Sequence, residues 1–492
     1  MTLMDWIDHL PAAPEVLLLA GACAVMIADL YVKDRERGAT LIFAQVVLAL
    51  CAATTIFVMW ASEGNKFYLF NGLFVADWMS HLLKLVCYLA VSTALVYSRR
   101  YLAERGLLRG EFVSLLLFSL LGMMVLISAG NFLTVFLGLE LMSLCLYALV
   151  ALNRDSAQST EAAMKYFVLG ALSSGLLLYG MSMLYGATGS LEITRVAFAI
   201  EHGQAHQMLG VFGLVFVVAG IAFKLGAAPF HMWIPDVYHG APTPVTLIIG
   251  SGPKLAALAM AIRLLVDGLL DLAHDWQQML AIMAILSMAI GNITAIAQSN
   301  LKRMLAYSAI ANMGFMLLGL LSGMVEGNWL NRDDAYTSAL FYIIIYTIMS
   351  VGAFGMLIIL SRAGFDCENL DDMRGLNRRN PWYAFLMMIL MLSLAGLPPT
   401  AGFYAKLAVI GATVAAGYLW LAVAAVLLSL VGAYYYLRIV KLMYFDEPRD
   451  TVAARPRLSS GVLMSVNGLA LLALGILPQF LMELCFVAVA SL

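Results

Sequence analysis

Lys224 lies in Val217-Val218-Ala219-Gly220-Ile221-Ala222-Phe223-Lys224-Leu225-Gly226-Ala227-Ala228-Pro229, part of an apolar run that ought to cross a bilayer. Placing a lysine at the centre of such a helix costs roughly 2.5 to 3.5 kcal/mol, so cations there face a partner or a wet cavity and commonly mark an ion or proton path. Glu140, Lys165, Lys254 and Lys406 also fall inside long hydrophobic segments. Glu140 is mid-span in Phe136-Leu137-Gly138-Leu139-Glu140-Leu141-Met142-Ser143, and Lys165 lies about one turn inside the next span, so adjacent antiparallel helices can pair them. At about 6 Å and an effective dielectric near 20 that attraction is roughly 2.8 kcal/mol. Moving either partner then changes the proton affinity of the other, and of any lysine sharing the cavity. The bland alternative is a structural ion pair plus snorkelling lysines. Snorkelling suits Lys84 and Arg263, nearer the ends of their spans, but not Lys224 or Lys254.

His231 and His239 follow the Lys224 segment in Pro229-Phe230-His231-Met232-Trp233-Ile234-Pro235-Asp236-Val237-Tyr238-His239. Either can relay protons near neutral pH, although a lone histidine in an apolar helix is as often a packed hydrogen-bonder; His231 is the stronger candidate. Gly250-Ser251-Gly252-Pro253-Lys254 lacks the flanking strand and the Lys-Ser/Thr ending of a phosphate loop, so it reads as close helix packing around Lys254. The Tyr434-Tyr435-Tyr436 run reads as packing and an interfacial belt. Of the six cysteines, all but Cys367 sit in apolar stretches, and neither a disulfide framework nor a metal site is readable from them.

The elements that must position these residues follow from composition. With 63% hydrophobic and 12% charged residues over 492 positions and a mean hydropathy of +0.90, the chain is an all-α polytopic membrane protein with room for about fourteen spans. A net charge of −2 with few charges offers no basic surface for nucleic acid. Asp5 and Asp8 precede the first apolar run where a cleaved leader would be basic, so that run is expected to stay as a span.

Apolar windows give spans near 14 to 31, 38 to 60, 74 to 97, 111 to 128, 131 to 152, 161 to 186, 207 to 239, 243 to 266, 276 to 297, 302 to 323, 336 to 361, 381 to 412, 417 to 442 and 460 to 487. Alternate loops separate sharply by positive charge. One set carries Lys33, Arg35, Arg99, Arg154, Lys302, Arg378, Arg455 and others, whereas the opposite set holds only Lys66, Arg195 and Arg332. The first set is therefore cytoplasmic and both termini point outward.

Two spans are too long and are interrupted, at Leu225-Gly226-Ala227-Ala228-Pro229 and at Gly396-Leu397-Pro398-Pro399-Thr400-Ala401-Gly402. Each is the fourth of five consecutive spans, in groups covering 111–266 and 276–442. Because five is odd, the second group enters from the opposite side, the geometry of inverted repeats with discontinuous helices at transport sites. Residues 1–110 form an N-terminal three-helix segment, and 443–492 a loop with the last helix.

The segments Gly138 to Ser143, Glu161-Ala162-Ala163-Met164-Lys165-Tyr166-Phe167 and Phe223 to Pro244, followed by Lys254, resemble the antiporter-like proton-pumping membrane subunits of respiratory complex I. Arg303 to Ala311 and Leu394 to Phe403 extend the likeness over nearly the whole chain. The resemblance implies Glu140 and Lys165 as the coupling ion pair and Lys224 as the central protonatable site. It implies Lys254 as the link toward Lys406 in a second half-channel, with His231 matching the histidine of the first broken helix. It also implies an inner-membrane chain without a cofactor of its own. NADH, FMN, iron-sulfur clusters and quinone would be held by partner subunits, with neighbouring antiporter-like subunits and the phospholipid bilayer as its surroundings. A subunit of a multisubunit cation/proton antiporter is the alternative, being similar in fold and key residues.

Overall fold

The computed structural model describes residues 10–32, 37–62, 64–324, 331–449 and 457–492. Asp5, Asp8, Lys33, Arg35 and Arg455 lie outside the described residues. Among the described residues, apart from a small antiparallel hairpin, β1 (Phe67–Leu69) and β2 (Phe74–Ala76), the elements are helices. The N-terminal segment supplies α1 (Ala13–Asp29), α2 (Gly38–Ala61) and α3 (Trp78–Glu104). Next come α4 (Gly110–Ile127), α5 (Phe132–Val150), α6 (Ala157–Thr188), the short α7 (Ile193–Glu201), α8 (Gln207–Leu225) and α9 (Trp233–Gly240). They are followed by α10 (Thr243–Ile249) and α11 (Gly252–Ala261), which runs on as a π-helical turn over Ile262–Gly268. Beyond it lie α12 (Ala273–Ile296), α13 (Leu301–Leu321), α14 (Arg332–Leu360), α15 (Pro381–Ala395), α16 (Ala401–Ala415) and α17 (Leu419–Phe445). The chain closes with α18 (Leu458–Ile476) and α19 (Gln479–Ala490).

Among the described residues thirteen helical stretches are long and apolar enough to cross a membrane. The remaining expected crossing, near 381 to 412, is made by α15 and α16, each too short alone. Large apolar side chains such as Leu89, Leu137 and Leu430 stay exposed on the outer surface of the bundle, as expected where lipid rather than water is the neighbour. The Thr243–Gly268 stretch lies wholly inside, with α13 and α14 nearly so, and these central helices carry the polar interior.

Helix ends follow local chemistry. Asp77 and Ser80 form a reciprocal capping box at the start of α3, and the side chains of Asn131, Ser156 and Asn300 cap α5, α6 and α13. The loops gather into two sets. Phe74 bridges Ala129, Asn131 bridges Glu192, and Lys66 reaches both Asp267 and the Leu492 carbonyl. At the opposite end Asn300 bridges Asn369, Arg105 pairs with Asp366, and the Gly375 amide donates to the Leu442 carbonyl. This partition is the alternation expected from the loop charges.

Glycine sets two helix crossings. A Cβ on Gly122 would lie 2.4 Å from the Met142 amide, and one on Gly138 2.6 Å from the Leu126 amide, so α4 and α5 touch through their backbones. Gly291 and Gly314 do the same for α12 and α13, at 2.7 Å from the Ala311 amide and the Ala284 carbonyl. Cys367, in the polar loop between α14 and α15, is buried rather than exposed.

Candidate functional site

The two interrupted helices end in the same way. α8 stops at Gly226 (φ 75°) and α15 at Gly396 (φ 80°), both in the left-handed region where glycine carries no Cβ penalty. The last carbonyls of a helix have no partner within it, and in a bilayer no water is at hand to supply one. In α8 the Ala222 and Phe223 carbonyls accept from the Ala227 and Gly226 amides at 2.8 and 3.0 Å. The Phe223 carbonyl also accepts from the Trp233 indole at 3.0 Å. The next two, Lys224 and Leu225, accept from the ammonium of Lys254 on α11.

In α15 the Leu392 and Ser393 carbonyls accept from the Leu397 and Gly396 amides at 2.9 and 3.0 Å. The last two, Leu394 and Ala395, accept from Lys406 Nζ at 3.2 and 2.9 Å. A buried lysine therefore closes the negative end of each half-helix, where the dipole favours a cation. The break glycines leave the lysines room. A Cβ on Gly226 would come within 3.1 Å of Lys254 Nζ, and one on Gly396 within 2.6 Å of Lys406 Cδ.

Lys224 is buried in the last turn of α8 and donates to Ser143 Oγ on α5 at 2.9 Å. Glu140, one turn before Ser143, acts electrostatically on Lys224 without ion-pair contact, and its Oε1 is buried with no hydrogen bond. His231 sits half-buried in the turn between α8 and α9.

The expected Glu140–Lys165 pair is not formed. Lys165 is 43% exposed and binds Glu161 at 2.8 Å and Asp236 at 2.7 Å, while Arg303 holds the other Asp236 oxygen at 2.9 Å. The contact of Tyr166 with Tyr147 sets this part of α6 about two turns along α5 from Glu140. The Tyr166 ring is buried between Tyr147 and Trp233, each 4.6 Å away, with Lys165 beside it turned toward α9. Lys165, Asp236, Arg303, Glu161, Gln158 and His239 surround a cavity of about 210 Å³ at the loop end of α9. Lys84 and Arg263 do not snorkel either: both are fully buried, paired at 2.6 Å with Glu15 and Asp77 respectively.

Between Lys254 and Lys406 runs a set of neutral polar groups that sequence reasoning missed. Ser350 donates to the Gly250 carbonyl at 3.0 Å, near the start of α11. Tyr342 donates to Asn312 Oδ1 at 2.8 Å, Asn312 donates to the Ser308 carbonyl at 2.8 Å, and Ser308 bonds the Tyr436 hydroxyl. Tyr342 stacks on Phe315, whose ring lies 4.7 Å from Lys406 Nζ. Tyr435 and Tyr436 are thus interior hydrogen-bonding groups, and only Tyr434 of that run is exposed. No sequence signal separates these hydroxyls from ordinary packing. Asp236 and Arg303 had one, since both lie in the segments of the resemblance, but their pairing depends on α9 meeting α13.

A helical bundle with two broken helices, each closed by a buried lysine, defines an antiporter-like membrane protein. The description "NADH:quinone oxidoreductase/Mrp antiporter, TM" matches residues 129–432, and the chain belongs to that family. A protein of Herminiimonas arsenicoxydans named NADH-quinone oxidoreductase subunit N is 56% identical over 490 residues, 99% of each chain. Its namesake in Thiobacillus denitrificans is 57% identical, covering 98% of this chain and 97% of that one. A chain of respiratory complex I from Thermus thermophilus with bound aureothin superposes with a TM-score of 0.78 at 32% identity, covering 96% of this chain and 98% of that one. A chain of the Mrp complex from Dietzia sp. superposes with a TM-score of 0.85 over 100% of this chain and 98% of that one, but at 24% identity this speaks for the fold alone.

Proposed function

We propose that this chain is the subunit N type of proton-translocating subunit in the membrane arm of a bacterial NADH:quinone oxidoreductase. The observation that carries the reading is the buried lysine at each helix break, Lys254 and Lys406, capping carbonyls that would otherwise stand unpaired in the bilayer. An ammonium satisfies them well; a neutral amine has fewer hydrogens to give and no charge for the helix dipole. Each proton gained or lost there shifts the balance at the break. Lys224 feels both Glu140 and the helix end that Lys254 caps, so the charge of one lysine is read by the next. Tyr342, Asn312, Ser308 and Tyr436, hydrogen-bonded to one another, continue the row toward Lys406. The cavity at Lys165, Asp236 and Arg303 serves as the loop-side vestibule to Lys224.

In this reading NADH, FMN, iron-sulfur clusters and quinone are bound by partner subunits, which drive the row electrostatically. Neighbouring antiporter-like subunits and membrane lipid flank the chain, and both termini face the periplasm of the inner membrane. The two five-helix groups at 111–266 and 276–442 act as inverted repeats, each contributing one half-channel. Co-purification of NADH oxidation with the chain separates this from a cation/proton antiporter. The direct test is Lys406→Ala in the assembled complex. Quinone-linked NADH oxidation and proton pumping should fall together, with NADH oxidation by an artificial acceptor unchanged; normal pumping would remove Lys406 from the path.

A further inference from the structure

A second group of buried charges sits apart from the lysine row, at the end of the bundle where β1, β2 and the C-terminus meet. Much of it precedes residues 129–432. Its parts come from four segments. Lys84 on α3 is fully buried and pairs with Glu15 of α1 at 2.6 Å, with the Phe74 ring 5.0 Å from its ammonium. Asp77, the cap of α3, pairs with Arg263 at 2.6 Å, and Arg263 also holds Asp267 at 3.0 Å within the π-helical turn. Asp267 in turn lies 3.9 Å from Lys66, both side chains partly exposed at the rim.

Among the described side chains here three carboxylates pair with three cations, and a histidine stands beside them. His81 lies one turn from Asp77 and one from Lys84 on the same face of α3. It is 1% exposed, and neither ring nitrogen has a hydrogen-bond partner. A neutral imidazole carries one donor and one acceptor, and burying both unused is costly unless water or a proton uses them. Arg263 lies in the π-helical turn and reaches Asp77 outside its own helix, and such turns are frequent at functional sites.

We propose that His81 is a proton-relay residue between these two ion pairs, reached through water from the rim at Asp267 and Lys66. The inference rests on the proton-translocation reading above. Hydronium at the rim gives its proton to one ring nitrogen: an O–H bond breaks, an N–H bond forms and water remains. The other nitrogen releases its proton to water beside Lys84 and Glu15, and the reverse sequence carries protons outward. Asp77 and Lys84 place opposite charges one turn to either side of His81, so the relay responds to how firmly Lys84 is held on Glu15.

Two measurements test this on the intact complex. Deuterium exchange at the His81 ring carbon, read by mass spectrometry, reports whether water reaches the imidazole. Exchange within several-fold of the exposed His202 is expected, and a ring that does not exchange over days overturns the proposal. His81→Gln keeps a donor and an acceptor but cannot carry the proton. It should lower pumping and quinone-linked turnover several-fold while leaving oxidation by an artificial acceptor intact, and normal pumping again overturns the proposal. If His81→Gln does not assemble, the exchange measurement on the unmodified protein decides. A Lys406→Ala complex that pumps normally would instead sink the lysine row and leave the exchange result standing.

Discussion

Lys224 carries the sharpest question at the level of single residues, because a buried cation bonded to one serine can be either a proton carrier or a fixed charge. Arginine separates the two. A guanidinium keeps its charge at any accessible pH, so a carrier fails with arginine nearly as badly as with alanine, whereas a fixed cation tolerates it better. Lys224→Arg and Lys224→Ala should therefore reduce quinone-linked turnover and pumping alike, measured on assembled complexes beside an artificial-acceptor rate. Near-normal pumping in Lys224→Arg with loss in Lys224→Ala would assign Lys224 a fixed electrostatic role. The sequence made the buried charges legible because each interrupts a hydrophobic run, a position too costly to be accidental. Their partners were not legible. Lys165 stays apart from Glu140 because the contact of Tyr166 with Tyr147 sets it about two turns along α5, and Lys84 found Glu15 on a helix far away in sequence.

At the level of elements, each broken helix depends on a glycine that meets two demands, a positive φ and space for a lysine. Gly396→Ala should destabilise the protein, since a left-handed alanine costs about 1 to 2 kcal/mol before any crowding against Lys406 is counted. Gly411→Ala is the control: it sits in α16 with nothing within 4 Å of its Cβ position. The glycine penalty in a helix interior is roughly 0.5 to 1 kcal/mol, so this change should be neutral or stabilising. Thermal unfolding of the two purified variants makes the comparison, and equal melting temperatures would mean that the break relaxes around alanine. The interruptions themselves could be read from Gly226, Pro229, Gly396 and the Pro398-Pro399 pair. The closure by Lys254 could not, because it joins α11 to the end of α8 and only the packed bundle brings them together.

For the whole molecule, charge alternation and contact agree on which loops share a face, and the remaining question is which face meets the cytoplasm. The partition was legible because hydrophobic length fixes each crossing and arginine and lysine concentrate in alternate loops. Cys367 is the one cysteine outside the apolar stretches of the sequence and lies in the polar loop between α14 and α15. Burial pushes its thiol up from the ordinary range, with the Asp372 carboxylate adding to the effect, so little reactive thiolate forms and access is blocked. The unmodified protein should therefore resist a membrane-impermeant maleimide from either side. Exposed positions serve better: Glu447→Cys beyond α17, on the arginine-rich face, and Gln204→Cys between α7 and α8, on the opposite one. Inverted vesicles should label Glu447→Cys and not Gln204→Cys, and right-side-out spheroplasts the reverse. The opposite pattern would turn the molecule over in the membrane, and labelling of both from one side would break the two-face arrangement itself.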